Sequence, residues 1–185
     1  YIFSLFGVDS LREIETSMAE SPTAPSGATG QGSAKRTRLV RPYPIHTLEV
    51  ALSVAKAIQN SNSGLPFART DLAGALGTTP SSSGYTMRLN SSAKYGLTRG
   101  GYNDDLISLT PLGQSIVAPQ EQAEARRSLI EAAITPDIFS RFYDMLERRQ
   151  LPEDTYVRNT LHRELDVRSD LADECLEVIK ANGLY

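Results

Sequence analysis

Apolar side chains recur every three or four residues along most of the chain after His46, which is the spacing of amphipathic helices. The first predicted helix runs from His46 to about Asn60, and its inward positions are Leu48, Leu52, Ala55 and Ile58 or Gln59. A second predicted helix follows Thr70, whose hydroxyl is suited to cap it, and stops at Gly77. The pattern therefore predicts two helices joined by a short loop.

A third, more polar helix is predicted from about residues 81–83 to 94, and its inward positions are Tyr85, Leu89 and Ala93. Residues 95–98 and 106–109 are short runs with the character of strands, and the segment between them is rich in Gly, Asn and Asp. This arrangement predicts a β-hairpin. Thr110 and Pro111 then have the residue types that cap and open another helix.

Residues 119–185 have helical spacing throughout and predict a small all-helical domain. Its first helix covers 123–133, and its second has Thr135 as cap and Pro136 at its first position. The remaining markers are Ile138, Phe139, Phe142 and Leu146 for the second helix, Val157, Leu161 and Leu165 for the third, and Leu171, Cys175, Leu176 and Ile179 for a fourth that has Ser169 as its cap and ends at Gly183.

The first 45 residues have a different composition. Residues 1–20 contain a short apolar run with nothing local to pack on, so we expect the tail of a preceding domain or a docking arm. Residues 21–33 have no charge and no large apolar side chain, and residues 21–45 are predicted as a flexible linker with a basic arm. Because the chain begins with Tyr1 rather than Met, we expect it to be part of a larger multidomain protein.

Charge is distributed unevenly within a net value of −3. Residues 34–120 hold nine basic and four acidic residues, which gives +5, whereas residues 1–33 carry −3 and residues 121–185 carry −5. The excess positive charge thus coincides with the predicted three helices and hairpin. Such a placement is typical of a surface that binds phosphate groups.

The segment DLAGALG, followed by SSSGYTMRLNSSAKYGLTRGGYNDDLISLTPLGQSIV, resembles the winged helix-turn-helix domains of prokaryotic regulators. Its most specific part, YGLTRGG…DLISLTPLGQSI, is similar to the ending of many MarR-like, PadR-like and ArsR-like proteins. The resemblance covers residues 46–118. It implies a mainly α fold in which three helices and a two-stranded wing precede the small helical domain of 119–185. An alternative expectation for that domain is a degenerate second helix-turn-helix, since CLEVIKANGLY is similar to RLNSSAKYGLT in running from a helix into a Gly-Leu step.

The resemblance implies that the third helix lies in the major groove of double-stranded DNA. Our leading hypothesis is therefore a DNA-binding module, the regulatory or DNA-recognition part of a larger prokaryotic protein. The expected phosphate contacts are Lys35, Arg36, Arg38, Arg88, Lys94 and Arg99. The expected contacts with base edges or sugars are Ser83, Thr86, Met87 and Asn90.

A rival hypothesis is a winged-helix module for protein interaction or dimerisation within a multidomain defence or signalling protein. Net acidity and a third helix that is rich in Ser, with Arg88 and Lys94 as its only charges, favour this alternative. Analogy of fold does not choose between the two.

Residues suited to catalysis or metal binding are scarce. The single Cys175 indicates a reducing cytoplasm, and its spacing favours a buried thiol. His46 and His162 lie far apart in the sequence and are expected to be surface or cap residues. The acidic pair Asp104/Asp105 is expected to lie in a turn, and the acidic pair Glu153/Asp154 at the start of a helix. We expect no enzyme activity, no metal, no cofactor and no membrane span.

Overall fold

A computed structural model of the chain describes residues 40–146 and 150–183, and all structural statements concern these residues. The fold of this part is mainly helical, as the sequence predicts, and includes a small antiparallel sheet. Its eight α helices are α1 (Leu48–Asn62), α2 (Arg69–Ala75), α3 (Ser83–Lys94), α4 (Pro111–Val117), α5 (Gln122–Ile134), α6 (Asp137–Leu146), α7 (Asp154–Arg163) and α8 (Ala172–Gly183). Its strands are β1 (Phe67–Ala68), β2 (Thr98–Arg99) and β3 (Leu106–Leu109), and a 3-10 helix, Ser169–Leu171, leads into α8.

Helix α1 is the central element of the fold. Thr47 is its N-cap, with Oγ1 accepting a hydrogen bond from the backbone N of Val50, and Ser63 ends the helix in the left-handed conformation. Its buried positions are Leu48, Ala51, Leu52, Val54, Ala55 and Ile58, which confirms the predicted inward face. No helix in the described part of the chain is long and apolar enough to cross a membrane.

Helices α2 and α3 lie where the sequence predicts them, but two details differ. The N-cap of α2 is Ala68, and Thr70 lies inside the first turn, so the predicted Thr70 cap is wrong. In α3, Tyr85 and Leu89 are buried as predicted, whereas Ala93 is exposed.

Two serines of α3 take the place that was predicted for Ala93 in the interior. Ser91 Oγ accepts a hydrogen bond from the backbone N of His46, and the Thr98 hydroxyl donates to Ser92 Oγ at 2.9 Å. These bonds satisfy the buried hydroxyls, so polar side chains can occupy the inner side of the helix.

The sheet has the order β1-β3-β2, with both pairs antiparallel. Strand β3 has the predicted bounds, but β1 was not predicted because two residues are too few for a periodic pattern. The predicted strand at 95–98 is wrong for Tyr95, which is the C-cap of α3, and β2 begins only at Thr98.

The caps of the later helices are partly as predicted. Thr110 Oγ1 accepts from the backbone N of Gly113, and Pro111 is the first residue of α4. Thr135 does not cap α6, because it ends α5 in a helical conformation and its hydroxyl donates to the carbonyl of Glu131. Ser169 is the first residue of the 3-10 helix rather than its cap.

The hydrophobic core consists of two clusters. The smaller lies among α1, α2, α3 and β3, and its buried members are Val54, Ile58, Leu72, Ala73, Tyr85, Leu89 and Ile107. The larger joins Leu48 and Leu52 of α1 to Phe139 of α6 and Leu176 of α8, and Leu109 packs against both clusters. Side chains from 46–118 and from 119–185 therefore share one core, and the predicted boundary after residue 118 is not a boundary in packing.

Residues 41–46, which we call the strap, contribute Tyr43 to this core. Tyr43 is completely buried in the larger cluster, so the predicted flexible linker is wrong at its end, residues 41–45. An aromatic ring that packs into the interior provides the apolar burial that residues 21–33 lack. The predictions for residues 1–39, including the arm residues Lys35, Arg36 and Arg38, lie outside the described residues.

Candidate nucleic-acid interface

The outward side of α3 carries the predicted contact residues. Ser83, Met87 and Asn90 are exposed, while Thr86 and Arg88 are half-buried. The Thr86 hydroxyl donates to the carbonyl of Ser82, so it is held against its own helix. The structure thus places the predicted base-contact side chains on the side of α3 that faces away from the smaller core cluster.

Arg99 is exposed at the end of β2, where its backbone is paired with Ser108 of β3. Arg88 and Arg99 form no ion pair within 40–146 and 150–183. By contrast, several cations of the C-terminal helices are paired: Arg158 lies against Asp154 and Asp173, and Lys180 Nζ lies 2.8 Å from an Asp154 carboxylate oxygen. Among the described residues, the charges of Arg88 and Arg99 thus have no carboxylate partner.

Lys94, one of the predicted phosphate contacts, is bound within the protein. Its ammonium Nζ donates to the carbonyl oxygens of Arg41 at 2.5 Å and Tyr43 at 2.8 Å. The strap is held from its other side by Glu174, whose carboxylate accepts from the Arg41 guanidinium at 2.6 and 3.0 Å and lies 2.8 Å from the Tyr43 hydroxyl. Two of the three N–H groups of Lys94 are thus used inside the protein.

We expect Lys94→Ala to lower the free energy of unfolding by about 1 kcal/mol, because it removes a charge-assisted anchor of the strap at a partly exposed site. Lys56→Ala is the matched control, since Lys56 is exposed on α1 and its loss should change stability by less than about 0.5 kcal/mol. Urea unfolding followed by circular dichroism measures both values. Equal stabilities of the two variants would show that Lys94 does not hold the strap.

His46 is half-buried rather than a surface residue. Its backbone carbonyl accepts from the Tyr95 hydroxyl at 3.0 Å, and its ring Nε2 is buried without a hydrogen-bond partner in the described structure. Burial, with a further contribution from the Arg88 charge, lowers the pKa of His46 below its usual range. The ring is therefore neutral near pH 7. His162 is exposed, as expected, with Nδ1 at 3.0 Å from the carbonyl oxygen of Val167.

The remaining chemical candidates have structural roles. Cys175 is buried, as predicted, and burial raises the pKa of its thiol to about 12, so the reactive thiolate is disfavoured. Asp104 Oδ2 accepts from the backbone N of Gly101 within a turn, and Glu153 and Asp154 lie at the start of α7, as predicted. Within the described ranges, no group of three His, Cys, Asp or Glu side chains is placed to hold a metal ion.

Two residues near the N-terminal end of α3, Arg69 and Tyr102, are not among the predicted contacts. The Arg69 guanidinium lies over the Tyr102 ring, 5.0 Å from its centroid. The sequence holds a signal for Tyr102, which is an aromatic residue within a turn of Gly, Asn and Asp, whereas Arg69 precedes the predicted start of the second helix.

Comparison of the chain with protein-family models, with characterised proteins and with solved structures gave no match.

Proposed function

We propose that residues 46–118 form a winged helix that binds double-stranded DNA, with α3 in the major groove and the β2–β3 hairpin as the wing. The observation that supports this most is the orientation of α3. Tyr85 and Leu89 bury one side of the helix against α1 and α2, so its polar side is left exposed immediately before a hairpin that carries Arg99. A polar helix followed by a basic hairpin can contact a groove and the adjoining phosphates together.

In this proposal, phosphate contacts supply most of the affinity. Arg88 and Arg99 provide two of them, and Lys94 contributes only through its third N–H group. Ser83, Met87 and Asn90 contact base edges or sugars in this proposal, and Thr86 lies at the edge of this contact surface. Because Arg88 is the only cation of α3 whose charged group is not bound by the strap, we expect weak discrimination between DNA sequences.

The arm residues Lys35, Arg36 and Arg38 add further phosphate contacts in this proposal, since they precede the strap by only a few residues. The protein would then serve as the DNA-recognition or regulatory part of a larger prokaryotic protein in the cytoplasm.

A second candidate function, protein interaction or dimerisation, is favoured by exposed apolar side chains. Ile130 and Ile134 lie one turn apart on α5, with 65% and 42% of their surface accessible. Paired apolar side chains on one face of a helix are a common feature of protein contacts. This candidate predicts no dependence of any function on Arg88 or Arg99.

A salt titration of duplex binding tests the proposed function. For the full chain and a short fluorescent duplex, we expect the logarithm of the binding constant to fall linearly with the logarithm of salt concentration. Arg88→Ala and Arg99→Ala should each lower the magnitude of that slope by about one, because each removes one phosphate contact. Fluorescence anisotropy at four or more salt concentrations gives the slopes.

Arg126→Ala is the matched control, since Arg126 is an exposed arginine on α5 and lies outside the proposed interface. It should leave both affinity and slope unchanged. Absence of duplex binding at low salt would refute the DNA-binding proposal and favour the protein-interaction candidate. Binding with slopes that neither arginine variant alters would refute the assignment of α3 and the hairpin as the contact surface.

A further inference from the structure

Arg69 is fixed on three sides next to the N-terminal end of α3. Its backbone N donates to the carbonyl of Asp105 at 2.8 Å, and its own carbonyl accepts from the Tyr85 hydroxyl at 2.7 Å. Its side-chain Nη1 donates to the carbonyl of Pro80, which lies just before the N-cap Ser82 of α3. Arg69 thus connects the start of α2, the loop before α3 and the end of the hairpin loop.

The hairpin loop, residues 100–105, is itself ordered by local contacts. Gly100 has a φ of +100°, and a Cβ there would lie 2.7 Å from the carbonyl oxygen of Leu106, so only glycine fits. Gly101 N donates to Asp104 Oδ2 at 2.7 Å, and Asp104 N donates to the Gly101 carbonyl. Tyr102, at the tip of this loop, packs its ring against the Arg69 guanidinium although 47% of the residue remains exposed.

One N–H of the Arg69 guanidinium is used by Pro80, and its other N–H groups have no acceptor among the described residues. The group is therefore held in place, and no carboxylate of the described residues neutralises it. A positioned guanidinium beside an exposed aromatic ring matches the sugar-phosphate backbone of a nucleic acid, where the phosphate accepts from N–H groups and the sugar offers an apolar surface.

We propose that Arg69 contacts a DNA phosphate beyond the N-terminal end of α3, and that Tyr102 is the positioning residue that holds the guanidinium and the hairpin loop for this contact. The inference rests on the proposed function and extends the interface from α3 and Arg99 to the start of α2. Because Tyr102 already holds the loop and the Arg69 side chain in the free protein, less conformational entropy is lost when DNA binds.

The test distinguishes the contribution of the Arg69 charge from the contribution of Tyr102 in positioning that charge. Arg69→Gln should weaken duplex binding and lower the salt slope by about one, as for any lost phosphate contact. Tyr102→Leu should weaken binding about two- to fivefold, which is the contribution of an exposed cation–π pair, and should leave the slope unchanged because no charge is lost. Tyr102→Phe keeps the ring and should bind as the parent chain does.

Tyr156→Leu is the matched control, since Tyr156 is an exposed tyrosine on α7 and should not affect duplex binding. Amide hydrogen exchange of the free proteins provides a readout that does not involve DNA. The Arg69 N–H, which is bonded to the Asp105 carbonyl, should exchange faster in Tyr102→Leu than in the parent and in Tyr102→Phe. Because Tyr102→Leu leaves the Pro80 bond intact, it carries the test if Arg69→Gln fails to fold.

Parent-like affinity of Tyr102→Leu, or equal losses in Tyr102→Leu and Tyr102→Phe, would overturn this inference while the proposed function stands. If the parent chain itself does not bind the duplex, both the proposed function and the Arg69 contact are overturned. The two failures are thus distinguishable in one set of titrations.

Discussion

Gly113→Ala is expected to lower the free energy of unfolding by about 3 kcal/mol or more, which is large relative to the total stability of an ordinary domain. A Cβ at residue 113 would lie far inside the 3.0 Å that such atoms keep from other heavy atoms, against the carbonyl oxygen of Leu97. That oxygen is a backbone atom, and it is also the acceptor for the backbone N of Thr110. Neither the start of α4 nor the segment before β2 can move away without breaking this hydrogen bond.

Gly74→Ala is the matched control for this prediction. Gly74 lies inside α2, and a Cβ there would meet no atom within 4 Å. Alanine at that site should be neutral or should stabilise the protein by about 0.5–1 kcal/mol, because alanine is the better helix former. Thermal melts and urea titrations of the two variants measure the contrast. A Gly113→Ala protein as stable as the parent would show that α4 does not approach Leu97 as closely as described.

The predicted elements agree best with the structure where one helix face is buried against its immediate neighbours. Leu48, Leu52 and Ala55 were predicted inward from their spacing alone, and Tyr85 and Leu89 of α3 likewise. The same periodicity leaves Ser83 and Asn90 exposed, so the outward side of α3 could be predicted from sequence.

Features that depend on contacts between distant residues could not be predicted in this way. Lys94 binds carbonyls 51 and 53 positions earlier in the chain, and Arg41 binds Glu174 across 133 positions. No local pattern distinguishes such a lysine from an exposed one. The short strand β1 and the contact of Arg69 with Tyr102 are similar cases, since each exists only because β3 and the hairpin loop lie next to residues 67–69.

The predicted separation into residues 46–118 and 119–185 did not anticipate Asn182. This residue of α8 is buried, its Oδ1 accepts from the backbone N of Leu48 at 2.9 Å, and its Nδ2 donates to the Tyr95 hydroxyl at the same distance. The last described helix thereby satisfies an amide at the start of α1. Composition and periodicity could locate α8 but could not show which amide it would meet.

This shared core leads to our second large prediction. Phe139 of α6 is completely buried, and its ring centroid lies 6.2 Å from that of Tyr95, which follows α3. We expect Phe139→Ala to lower the free energy of unfolding by about 3–5 kcal/mol through lost burial and the cavity that remains. Tyr156→Ala, which removes an exposed aromatic ring from α7, should change it by less than about 0.5 kcal/mol.

The position of Phe139 also predicts which backbone amides lose hydrogen-exchange protection when it is replaced. If 46–118 and 119–185 unfold as one cooperative unit, Phe139→Ala must reduce hydrogen-exchange protection equally at the slowest amides of α3 and of α8, such as those of Leu89 and Leu176. Two independent domains would instead lose protection at Leu176 only. Native-state exchange of the parent and of Phe139→Ala measures the loss of protection at the two amides, and each loss is compared with the loss of stability found in urea. Unchanged protection at Leu89 would mean that the proposed DNA-binding segment is stable without the helices that follow it, and that the contact between Phe139 and Tyr95 contributes little to it.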